Sequence, residues 1–154
     1  MTGEFSLTKE EILKDYRLAC ESRQTSILAR KEVFMGKAKF GIFGSGKELA
    51  QICMAKFFKE GDFRSGYYRD QTFMMAIGEL TIQQYFAQLY GHADIEHDPH
   101  SGGRMMIGHY STRNLDAQGR FKDLTKIKIS TPDISPTGAQ MPRLVGLAWA
   151  SKLF

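Results

Sequence analysis

From Ser6 to about Lys37, apolar residues recur near helical spacing at Ile12, Tyr16, Ala19, Cys20, Ile27, Leu28 and Phe34, with charges filling many positions between them. The spacing predicts one long helix, and Thr8 with Glu11 supplies a capping box for its start. The glycine-rich "KAKFGIFGSG" breaks that pattern. "KELAQICMAKFF" resumes it through Leu49, Ile52, Cys53, Ala55 and Phe57 or Phe58, with Gly46 at the start of a second helix. Gly61 and Asp62 form a turn, and the aromatic run Tyr67, Tyr68 reads as a short strand ending at Arg69. "QTFMMAIG" and "TIQQYFAQLYG" predict two short helices. From Gly91 to about Lys126 the chain is polar, glycine-containing and poor in apolar anchors, and a loop of that length in a compact domain is usually functional or mobile. After a proline-punctuated stretch, an apolar helix is expected from about Gly138, carrying Leu144, Val145, Leu147, Trp149 and Leu153 and still hydrophobic at Phe154. Such a helix has to pack on something, and the chain offers one or two short strands at most. The expectation is the front part of a larger α/β unit.

Composition narrows the class. The 154 residues fit one domain, and 42% hydrophobic with 25% charged residues fits a globular chain. No window approaches the roughly 18 to 20 apolar residues that cross a bilayer, and the N-terminus lacks a basic patch followed by an apolar run. A cytoplasmic protein without a membrane partner is expected. A net charge of +4, with Lys and Arg scattered, leans toward an anionic ligand and away from nucleic acid. Cys20 and Cys53 have no CxxC spacing and read as small buried hydrophobes rather than a disulfide or zinc site.

Several short stretches carry candidate chemistry. "GIFGSGKE", Gly41 to Glu48, matches the phosphate-cradling loop of many NTPases through Gly46 and Lys47, but Glu48 stands where a magnesium-binding hydroxyl is needed. No convincing strand precedes it, so a plain glycine turn into a helix is the competing reading. "HADIEHDPH" crowds His92, Asp94, Glu96, His97, Asp98 and His100 and could ligate a metal or be a solvated loop. In "GYYRD", Arg69 beside Tyr67, Tyr68 and Asp70 suits a bidentate phosphate contact or a structural Arg–Asp pair. In "SGGRMMIGHYSTR", Gly102 and Gly103 allow close backbone approach, Arg104 adds a cation, and His109 can move protons near neutral pH.

Taken in order, "GSGKELAQI", "GDFRSGYYRDQTFMMAIGE", "YFAQLYG", "SGGRMMIGHYSTR" and "ISPTGAQMPRLVGLAWASKL" resemble the alpha subunit of the thiamine-diphosphate-dependent 2-oxo acid dehydrogenases. These are the decarboxylating first components of the branched-chain and pyruvate complexes, and the branched-chain type looks closer. The resemblance implies a fold: the N-terminal, helix-rich portion of a three-layer α/β/α thiamine-diphosphate-binding fold with an incomplete sheet. Residues 1–40 would be an N-terminal helical segment and 41–154 the start of the cofactor domain. Gly46, Lys47 and Glu48 fit the family's G-x-E element, which makes the NTPase match a coincidence.

The resemblance also implies roles. Tyr68 and Arg69 match the pair that holds the cofactor diphosphate, and Ser135 and Thr137 match the segment that meets the aminopyrimidine ring, with Pro136 between them. His109 falls in the loop facing the active-site channel, as a catalytic candidate. Gln140 matches a position that binds a structural potassium ion in branched-chain relatives, although Ala139 replaces a hydroxyl ligand there. The family's magnesium site, a G-D-G followed by N-N, has no counterpart here, since Gly61 and Asp62 precede Phe63. The implied partners are a beta subunit, which brings the glutamate that activates the cofactor, and the lipoyl-bearing acyltransferase of the complex. The chain would then be a fragment of an oxidoreductase, inactive alone and prone to self-association. Two other classes remain open: a phosphate or nucleotide module built on Gly46 and Lys47, and a non-catalytic domain that associates through its C-terminal helix.

Overall fold

A computed structural model describes residues 6–153; residues 1–5 and 154, including the apolar terminus at Phe154, lie outside the described residues. The elements run α1 (Lys9–Phe34), α2 (Glu48–Ala55), β1 (Phe63–Arg64), α3 (Gln71–Ala76), α4 (Ile82–Leu89), a single 3-10 turn (Leu124–Lys126), β2 (Ile129–Ser130) and α5 (Gln140–Leu153). The fold is helix-rich, and its sheet is the parallel pair β1–β2, with Phe63 opposite Ile129 and Arg64 opposite Ser130.

Helix α1 starts as expected. Thr8 Oγ1 accepts the Glu11 amide and the Glu11 carboxylate accepts the Thr8 amide, satisfying two donors that the first turn would otherwise leave open. Its buried face is not the apolar one that the spacing picked out. Ser22, Thr25, Ser26 and Ala29 are buried, whereas Ile12, Tyr16, Ile27, Leu28 and Phe34 are exposed. The inner side of α1 is a polar seam: Gln71 Nε2 donates to Ser22 O, Ser22 Oγ and Ser26 Oγ, and the Ser22 and Thr72 hydroxyls share a hydrogen bond of 2.7 Å. Small hydroxyl residues let the helices approach closely, and their mutual bonding removes the penalty of burying them.

The hydrophobic core gathers Phe73, Met74 and Ile77 after β1, Leu80, Tyr85 and Leu89 around α4, and Ile107 and Tyr110 from the long loop, with Ala29 and Ala38 closing the side next to α1. The loop expected to be poor in apolar anchors supplies Ile107 and Tyr110 to the core. Tyr67 and Tyr68 lie outside any strand; the strand falls earlier, at Phe63–Arg64, and Tyr68 and Arg69 form a turn. Cys20 and Cys53 are exposed, which corrects their reading as buried hydrophobes.

Helix α5 begins at Gln140, two residues later than the pattern placed it, and buries no residue. Met141, Leu144, Val145, Trp149 and Leu153 all remain exposed. Its first turn is pinned by Ser65 Oγ donating to Gln140 O at 3.2 Å, by Arg143 Nε donating to Ser65 Oγ at 2.9 Å, and by Arg143 Nη1 donating to Pro132 O. No helix among the described residues is long and apolar enough to cross a membrane.

Candidate functional site

Three loops converge at the ends of the short strands. The first follows β1. Asp70 Oδ2 accepts the Tyr67 amide at 2.9 Å and pairs with Arg64 Nη2 at 2.7 Å, which folds residues 67–70 into a turn. Arg64 is buried and also reaches Ser130 Oγ and, at 3.3 Å, Asp133 Oδ2, so one guanidinium joins β1, β2 and the segment after β2. The adjacent Arg69 and Asp70 thus do not form the pair that their spacing allowed. Gln51 on α2 donates to Arg69 O and accepts the Phe73 amide, each at 3.0 Å. A Cβ on Gly44 would lie 2.7 Å from that same Arg69 carbonyl, so the backbone of Arg69 is fixed from two sides. Its side chain is exposed, its guanidinium carbon lies 5.7 Å from the Tyr68 ring centroid, and it forms no ion pair among the described residues.

The second loop carries His109. Gln88, buried on α4, accepts the Gly108 amide at 2.8 Å and donates to His109 O at 2.7 Å. Gly108 has φ +85°, and a Cβ there would lie 2.4 Å from Tyr68 O; only glycine fits where the two loops cross. The imidazole, 2% exposed, stacks on Tyr68 with ring centroids 6.2 Å apart. Its Nδ1 lies 3.1 Å from Met106 O, an atom that can only accept, so Nδ1 carries a proton. In the neutral ring, Nε2 is then the acceptor of a hydrogen bond from Ser135 Oγ at 2.8 Å. Pro136 follows Ser135 and offers no amide N–H, so the pair lacks the neighbouring backbone donor of a hydrolase nucleophile. Because the ring is buried and Ser135 is exposed, the imidazole meets the surface through that hydroxyl.

The third loop runs from Asp133 into α5. Asp133 accepts the Tyr110 amide at 3.2 Å, and burial pushes its carboxyl above the usual range although Arg64 pulls it back. Gln140 Nε2 donates to Ile134 O at 2.9 Å and its Oε1 accepts the Gly138 amide at 3.1 Å, so both ends of the amide are engaged within the loop. The Thr137 hydroxyl lies 3.3 Å from that of Tyr67, which also donates to the Tyr68 hydroxyl; these bonds, Thr137 first, lower the Tyr67 phenol. Tyr68, His109, Ser135 and Thr137 therefore form one connected cluster, with Arg69 exposed at its edge.

Elsewhere, Glu48, Asp98 and His100 are buried and bonded within the fold, while Lys47, His92, Asp94, Glu96 and His97 are exposed. The Gly46 amide donates to both oxygens of Glu48, at 3.1 and 3.0 Å, and Arg23 grips the same carboxylate at 2.6 and 2.8 Å. The amide that would cradle a phosphate in an NTPase loop is taken by the protein's own carboxylate. In residues 92–100, Asp98 is fully buried and accepts from the Ser101 and Gly103 amides, while His100 is buried and bonded to Ser111. Among the described residues no group of three or more His, Cys, Asp or Glu side chains is arranged to hold a metal ion. Sequence reasoning passed over Gln51, Gln88 and Arg64. The signal for Gln88 was present, as a polar residue beside Tyr85 and Leu89 on the buried face of α4.

A family model described as "Dehydrogenase E1 component" matches residues 16–153. The chain is 32% identical to the 2-oxoisovalerate dehydrogenase subunit alpha of Bacillus subtilis (strain 168) over 155 aligned positions, covering 96% of this chain and 40% of that relative. The chain belongs to the dehydrogenase E1 component family, and it spans well under half the length of the relative it matches.

Proposed function

We propose that this chain is the N-terminal part of the alpha component of a 2-oxo acid dehydrogenase and provides one wall of its thiamine diphosphate site. The observation that carries this reading is the convergence of Tyr68, His109, Ser135 and Thr137, from three separate loops, beside the exposed Arg69, which forms no ion pair among the described residues. The donor set fits the cofactor. A planar guanidinium and a phenol suit the oxygens of a diphosphate, and the exposed Ser135–Thr137 segment suits a flat heteroaromatic ring. When bound, thiamine diphosphate supplies the carbon nucleophile for decarboxylating a 2-oxo acid, here a branched-chain acid in the first place and pyruvate in the second. Arg69 and Tyr68 would hold the diphosphate, Ser135 and Thr137 would orient the ring, and His109 would keep the Ser135 hydroxyl directed and take or return its proton.

The remaining parts come from elsewhere in the assembly. Magnesium would neutralise the diphosphate and would take its ligands from outside these residues, and a potassium ion at Gln140 would have to displace the Gly138 amide from Oε1. On this reading 1–40 would be an N-terminal helical segment and 41–154 the start of a three-layer α/β/α cofactor domain, residues 6–153 of the chain being those described. The exposed apolar faces of α1 and α5 are surfaces for the rest of the enzyme: a beta subunit, a second copy, or both. The acyl group passes to the lipoyl arm of a partner acyltransferase, in the cytoplasm.

Calorimetric titration of thiamine diphosphate with magnesium tests this. Weak binding that Arg69→Ala abolishes is expected, with no carbon dioxide released from 2-oxoisovalerate by the chain alone. Binding indifferent to Arg69→Ala overturns the site, and turnover by the isolated chain overturns the division of labour.

A further inference from the structure

We infer that Gln88 is a positioning residue for His109, selecting which imidazole nitrogen faces Ser135. Gln88 lies on α4, is 2% exposed, and engages both ends of its amide with the two peptide units that flank the Gly108–His109 peptide: Oε1 accepts the Gly108 N–H at 2.8 Å and Nε2 donates to the His109 carbonyl at 2.7 Å. The peptide between them turns about Gly108, which has no side chain and sits at φ +85°. Fixing it closes the 106–109 turn, in which Met106 O accepts both the His109 backbone amide at 3.3 Å and its Nδ1–H at 3.1 Å. With Nδ1 holding its proton against that carbonyl, the lone pair of Nε2 is left for Ser135 Oγ. A turn rotated about Gly108 would move Met106 O off the ring, and the imidazole would be free to carry its proton on Nε2 and face Ser135 as a donor. The helix therefore sets the direction of the Ser135–His109 hydrogen bond through a backbone clamp, without touching either reacting side chain.

The inference deepens the proposed function, resting on His109 as an active-site group, but its test needs no cofactor and so can fail while cofactor binding succeeds, and the reverse. Proton–nitrogen correlation NMR at alkaline pH, with His109→Asn to assign the signal, reads the tautomer in the 154-residue chain. The Nδ1–H form is expected in the unsubstituted protein and its loss in Gln88→Met. Gln71→Met, which removes an equally buried glutamine from the α1–α3 seam, is expected to destabilise the fold yet keep the Nδ1–H form. Retention of Nδ1–H in folded Gln88→Met, or its loss in both variants, overturns the inference. If Gln88→Met does not fold, Gln88→Glu, which keeps the acceptor for Gly108 and loses the donor to His109, is read in the same way. Hydrogen exchange in the unsubstituted protein gives a measurement independent of any variant: Gly108 N–H protected like the α3 amides supports the clamp, and free exchange overturns it.

Discussion

Glu48 and Arg23 form a two-pronged ion pair, Nε to Oε1 at 2.6 Å and Nη2 to Oε2 at 2.8 Å, and the same carboxylate caps the Gly46 amide. Arg23 first, and the backbone amides of Glu48 and Gly46 after it, hold the Glu48 carboxyl down at about 2. A carboxylate depressed in the folded state stabilises fully above its unfolded value and loses that contribution as pH falls toward the folded one. The chain is therefore expected to weaken between the ordinary carboxylate range and about 2, and Glu48→Gln to flatten that acid limb while costing about 1–2 kcal/mol near neutral pH. Thermal melts across this acid range check both.

Arg64 holds Asp70 and Asp133 together, at 2.7 and 3.3 Å. Arg64→Met leaves Asp133, whose side chain is fully buried, without its counter-charge; a loss of about 3–5 kcal/mol is expected. Asp133→Asn should cost clearly less, because the amide oxygen can still accept the Tyr110 amide and Arg64 keeps its pair with Asp70. Urea unfolding of both variants gives the order, and equal losses would contradict it.

Gly108→Ala places a Cβ at 2.4 Å from Tyr68 O on a backbone at φ +85°. The strain and the clash together are expected to destabilise by about 2 kcal/mol or more. The two loops should also part, seen as changed Tyr68 and His109 NMR shifts. Gly119, at φ +75° with open space around it, is the control: Gly119→Ala should show the smaller cost and leave those shifts in place.

Trp149 is the single tryptophan and is 64% exposed on α5. In dilute chain its emission should be that of a solvated indole and be quenched freely by iodide. If the α5 face is covered by a second copy or a beta subunit, raising concentration or adding that partner should shift emission to the blue and slow quenching, in step with mass by light scattering.

Local signals in the chain fixed the local structure. The α1 capping box, the glycine break before α2, the short helices α3 and α4 and the apolar α5 were legible, because helical spacing and capping chemistry act over a few residues. The motifs from Tyr68 to Gln140 also named the candidate side chains and the family. What spacing could not tell was which partner each charge would take. Asp70 chose Arg64 over its neighbour Arg69, the buried face of α1 proved to be hydroxyl rather than apolar, and the loop after Gly91 supplied Ile107 and Tyr110 to the core. Those choices depend on contacts that local spacing does not encode, from Arg64 with Asp70, 6 residues apart, to Gln88 with His109 and Arg64 with Asp133, 21 and 69 residues apart. Burial makes an unpaired polar group costly, so each one settles on whichever partner the packed chain brings within reach, and only the tertiary structure decides which that is.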